Sequence, residues 1–164
     1  MTTLHGSRLL LSIAAFGAFG AGAVSAGNPL ERHLAIGHTP TFQSGDTVPQ
    51  EGVFEIALKP VADVVYVLRS NDMVLTNNGG LVTVENVPTG RYAILLSQKA
   101  RLEVVQLHPV APIPVILGDT ESDLGLATIS AKGGPLTLQL SGVAAPSITV
   151  AVVPLSDQRM MRSE

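Results

Sequence analysis

The chain has no cysteine and no tryptophan, and only two tyrosines and four phenylalanines among 164 residues. Without thiols there is no disulfide scaffold, no thiolate zinc site and no thiol catalysis. Such a fold is also indifferent to an oxidising compartment. Few rings argue against recognition by stacking, on nucleic-acid bases or on sugars alike. Positive charge is short as well. Ten Lys and Arg stand against thirteen Asp and Glu, a net charge of -3, which is the wrong sign for a phosphate backbone, so no nucleic-acid partner is expected. One domain suits this length.

What is present begins with an apolar segment. Arg8 supplies a positive start, Leu9–Phe19 an apolar run, and Val24-Ser25-Ala26 the small residues that a signal peptidase reads. Residues Met1–Ala26 therefore read as a secretory signal cleaved before Gly27. Gly17, Gly20 and Gly22 dilute the run and no Lys/Arg cluster follows it, whereas a membrane-spanning helix needs about 20 strongly apolar residues. The expected destination is the periplasm or the medium, with no integral membrane segment after cleavage. Phe16 and Phe19 leave with the signal, so the remaining rings are Phe42, Phe54, Tyr66 and Tyr92. The core must be aliphatic.

Residues Gly27–Gly52 read as an arm, punctuated by Pro29, Pro40, Gly45 and Pro49, either a loose linker or an edge strand around Leu34–Ile36. From Val53 the period is two. Phe54, Ile56 and Leu58 alternate with Val53, Glu55 and Ala57, and Lys59-Pro60 ends the pattern. Val64–Leu68 is a continuous apolar run, the signature of a strand covered on both faces. Asn77-Asn78-Gly79-Gly80 reads as a turn. Strands are expected at Leu81–Glu85, Arg91–Ser97, Arg101–Gln106, Leu126–Ser130, Leu136–Leu140 and Ser147–Val153, with Tyr92, Ile94 and Leu96 sharing one inward face. The three prolines of His108–Pro114 exclude a central strand there. Ser156–Glu164 is a polar tail. The expected fold is all-β, an antiparallel β-sandwich of jelly-roll or immunoglobulin-like type with about seven to nine short strands over residues 53–155.

The segments Leu81–Val84, Tyr92–Leu96 and Leu102–Val105 are matched by Leu126–Ile129, Leu136–Leu140 and Ile148–Val152 at offsets of 45, 44 and 46 residues. Two Val/Leu-rich meanders can match through patterning alone. The economical alternative is a duplicated meander facing its copy across one core. The stretch Gly79–Val84 followed by Val87-Pro88-Thr89-Gly90-Arg91-Tyr92-Ala93-Ile94 resembles the strand, Pro-x-Gly-x-Tyr turn and strand of the pre-peptidase C-terminal domain. It resembles more loosely the transthyretin-like regulatory domain of carboxypeptidases. That resemblance implies a sandwich fold and an export route, and no activity.

No residue stands out as catalytic or cofactor-binding. Asp119, Glu121 and Asp123 with Gly125 form an acidic turn, but the spacing departs from a calcium loop. His33 and His38 are suited to copper or zinc but have no third ligand nearby. Met160-Met161 sits in the tail, and adjacent side chains rarely chelate together. His108 lacks a matching nucleophile, and Glu85, Glu103 and Asp63 occupy ordinary outward positions. No catalytic, cofactor or metal residue is assigned. The reading is an exported, non-enzymatic cell-envelope module with a protein partner. The alternative is a metal- or small-ligand-binding accessory protein, and a sugar-binding module is disfavoured by the lack of rings.

Overall fold

In the computed structural model, residues 39–49, 52–118 and 124–155 are described. They form two sheets and a single short 3-10 turn. Sheet A runs in the order β1 (Thr41–Gln43), β3 (Gly52–Ala57), β12 (Ser147–Leu155), β6 (Gly90–Leu96), β10 (Gly125–Ala131), β9 (Ile116–Leu117). Sheet B runs β2 (Thr47–Val48), β5 (Asn78–Val87), β11 (Gly134–Val143), β7 (Arg101–Leu107), β8 (Val110–Ile113), and β4 (Lys59–Pro60) pairs with the start of β5. The fold is the expected β-sandwich. Twelve strands exceed the expected number because β2, β4 and β9 are two-residue edge pairings that leave no periodic trace in a sequence. The sheets are also mixed, since β1 joins β3 and β2 joins β5 in parallel.

The core lies between the sheets. Tyr92, Ile94 and Leu96 of β6 meet Leu136, Leu138 and Leu140 of β11, with Ile148, Val150 and Val152 beside them. Each such aliphatic side chain contributes roughly 1.5–3 kcal/mol on full burial. The described part of the arm, residues 39–49, belongs to this core. Val48 is buried in it, and Phe42 packs edge-on against Phe54 with ring centroids 6.0 Å apart. The prolines of His108–Pro114 fall on and around β8, an edge strand, as their missing N–H groups require.

The repeat is present in a form that the sequence did not suggest. Exchange β3 with β8, β4 with β9, β5 with β10, β6 with β11 and β7 with β12. The sheet A order β3-β12-β6-β10-β9 then becomes β8-β7-β11-β5-β4, the order of sheet B. The domain is thus two five-strand halves related by a pseudo-two-fold axis. The expectation of one meander facing its copy is corrected, because each half lends its central strand to the other half's sheet. The chain crosses between sheets at Pro88-Thr89, 97–100, Lys132-Gly133 and 144–146, so consecutive strands of each meander are never neighbours. Only β1 and β2 have no counterpart among the described residues.

Candidate functional site

The halves differ most in one connection. Residues 118–124 join β9 to β10, whereas residues 61–77, more than twice as long, join β4 to β5. This longer segment, the strap, crosses the outer face of sheet B. It contains the run Val64–Leu68 that was expected as a strand. No ladder forms there, because the edge of β5 is already taken by β4 and β2 and β5 is followed inward by β11.

Side chains replace the missing ladder. Gln139, on the outward side of β11 and almost wholly buried, accepts the N–H of Val67 at 2.6 Å and of Leu68 at 3.2 Å. Its amide then donates to the Leu68 carbonyl at 2.8 Å. The Tyr66 hydroxyl donates to the Leu140 carbonyl at 2.8 Å, and Val74 N–H to Ser141 Oγ at 3.2 Å. At the strap's far end the Ser70 hydroxyl donates to Glu103, and Arg101 lies 3.4 Å from Asp72. Val61, Val64, Tyr66 and Met73 form a second, smaller apolar cluster beneath the strap, with Leu81 against it. Burial pushes the Tyr66 phenol above the usual tyrosine range, with the Arg69 charge opposing the shift and Glu103 adding to it.

Two surfaces result. The first is the strap's outer side, where Val65 is 87% exposed and Leu75 68%, with Val67 and Val74 exposed beside them. The second is a cleft of about 400 Å³ at the end of the strap. Leu68, Val105, Pro112, Val115 and Leu117 supply much of its apolar lining, and Arg69, Arg101 and Glu103 also line it.

Of the candidate residues that are described, only Glu103 lines either surface. His33, His38, Asp119, Glu121, Asp123, Met160 and Met161 lie outside the described residues, as does the Met1–Ala26 signal. His108 is exposed in the β7–β8 turn, and Asp63 is exposed in the strap. Glu103 and Gln139 stand in line with Leu81 across sheet B, which places Glu85 four residues further along β5, about 13 Å away at strand rise. Glu85 and Glu103 therefore do not pair as acid and base. Among the described residues no group of three His, Cys, Asp or Glu is placed to hold a metal. Tyr66, Tyr92 and Phe54 are buried, and Phe42 is half-buried. No described ring is an open stacking platform for a sugar. Gln139 and Arg101 were not marked by sequence, because a polar residue on an alternating strand ordinarily faces water.

No family model matches the chain, and no curated protein matches it. Among solved structures it is similar to the pre-peptidase C-terminal domain of a collagenase from Bacillus anthracis, with 11% identity and a TM-score of 0.38. That likeness covers 71% of this chain and 99% of the other. It is the domain class that the Pro88-Thr89-Gly90-Arg91-Tyr92 turn resembles. The fold class itself stands on the two sheets described above.

Proposed function

We propose that the chain is an exported, non-catalytic β-sandwich module that works by docking another protein of the cell envelope or its surroundings against the strap. One observation carries the reading. Val64–Leu68 is apolar on both sides, as in a strand meant to be covered twice, yet only Val64 and Tyr66 are covered. Val65 and Val67 face outward, and Leu75 and Val74 extend the apolar surface. Exposed apolar side chains grouped in this way mark interaction surfaces, where singly scattered ones do not. The Met1–Ala26 pattern supports export to the periplasm or the medium.

A photo-crosslinking residue placed at Val65 in the producing cells tests the docking, with the same residue at exposed Glu85 as the reference. A discrete adduct from position 65 alone is expected. Identical adducts from both positions, or none, would sink the proposal. Cell fractionation with mass measurement tests export, the expected product being an exported chain that begins at Gly27.

A further inference from the structure

The cleft beside the strap has chemistry of its own, independent of the strap's outer side. Its volume of about 400 Å³ falls among those of clefts that hold small ligands, roughly 300–1,000 Å³. Leu68, Val105, Pro112, Val115 and Leu117 make most of the wall apolar. The charges are confined to Arg69, Arg101 and Glu103, two guanidiniums against one carboxylate. Glu103 is engaged, taking the Ser70 hydroxyl and standing 3.9 Å from Arg101 Nε. Arg101 is paired as well, its guanidinium standing 3.4 Å from Asp72, although its Nε–H is buried without a hydrogen bond, and Arg69 meets no carboxylate among the described residues. Arg69 is therefore the charge of the lining that no carboxylate answers.

We propose that this cleft binds an amphiphile carrying a single carboxylate, of which a medium-chain fatty acid is the simplest example. The carboxylate pairs with Arg69, for which the planar guanidinium fork is well suited. The alkyl chain covers the apolar wall. A neutral or cationic amphiphile of equal length satisfies the wall and not Arg69, so charge sets the selectivity.

Calorimetric titration of the purified chain with decanoate and with decyltrimethylammonium tests this. Decanoate is expected to bind saturably at one site, at least tenfold tighter than the cation. Each methylene added from octanoate upward should tighten binding about fourfold until the cleft is full. Arg69→Gln, an exposed change that leaves the fold intact, should weaken decanoate about tenfold and leave the cation unaffected. Leu117→Glu, at a position 65% exposed, should abolish decanoate binding by placing a carboxylate on the apolar wall. In the chain that carries the crosslinker at position 65, Leu75→Ser should remove the adduct and leave decanoate binding unchanged, which separates this site from the docking surface. Equal binding of the two amphiphiles, wild-type affinity in Arg69→Gln, or no saturable heat would each overturn the proposal.

Discussion

Tyr66 and Gly79 hold the strap to the sheet as a pair. Leu140 and Val143 flank a register shift in the β5–β11 ladder, with Gly142 at a φ of +71° inside it. Such bulges locally disrupt the ladder. There the Tyr66 hydroxyl reaches the Leu140 carbonyl, and it does so across Gly79. A Cβ on Gly79 would collide with that hydroxyl and come within 2.7 Å of the Leu140 oxygen. The sequence reads Gly79 as part of a turn, but only Asn77 is left-handed, at a φ of 64°, and Gly79 lies within β5. Its lack of a side chain serves a close approach, which no local pattern announces. Gly79→Ala is expected to cost about 1–3 kcal/mol in denaturant titration. In a Tyr66→Phe background the cost should fall, because the hydroxyl half of the clash is gone. The same phenol gives the fold an alkaline limit. Its folded value is raised by burial above the ordinary 10.0, so its contribution is fully present below that value and is lost as pH rises through the folded value. Unfolding measured from pH 8 upward should show a steeper alkaline loss in wild type than in Tyr66→Phe.

At the scale of elements, the strap shows how a segment with strand composition remains outside a sheet. Val64–Leu68 has the right residues, and its inward Val64 and Tyr66 against outward Val65 and Val67 follow the period of two. Composition specifies the extended backbone and the buried side. It says nothing of whether an edge is vacant to receive it, which depends on how β4, β2 and β11 pair with β5. Strands with a clean alternation were legible because the core alone decides them. Phe54 and Ile56 in β3, the inward triplet of β6 and Leu136, Leu138 and Leu140 in β11 all lie as the sequence indicates. Gln139 follows that alternation as an outward residue, and its outward side became the strap's anchor. Replacing it with Leu retains bulk but strips hydrogen-bond partners from Val67 and Leu68. Each lost bond to a neutral group is worth about 1 kcal/mol, and more if the backbone group stays buried. The strap can instead lift and let water in. Gln139→Leu should therefore cost about 2 kcal/mol, with amide exchange accelerated at Val67 and Leu68 and unchanged at Ile94 and Val150. Exchange accelerated equally across both sheets would show that the strap opens only with the whole fold.

For the whole molecule, the pseudo-two-fold arrangement decides how the domain must fold. Hydrophobic periodicity identified the strands, and the offsets of 44 to 46 residues identified the repeat. Neither carries information on which strands become neighbours, so the interleaving of the halves was not legible. The pairing of β6 with β10 and β12, of β11 with β5 and β7, of β12 with β3 and of β7 with β8 always joins one half to the other. Among the described residues, the first half keeps only the short pairings of β1 with β3, β2 with β5 and β4 with β5, and the second only β9 with β10. A half taken alone would expose Ile94 or Leu138 with no facing sheet and leave every long strand without a partner. It cannot offset its conformational entropy, since fixing each residue costs roughly 1–2 kcal/mol. Two peptides, residues 39–108 and 109–155, are therefore expected to be unstructured separately by circular dichroism. Mixed at equal concentration, they should regain the β signal and a cooperative melt, because the connection cut at His108-Pro109 is a short exposed turn outside both cores. A folded spectrum from either peptide alone would show that a half carries its own core, contrary to the strand order of the two sheets.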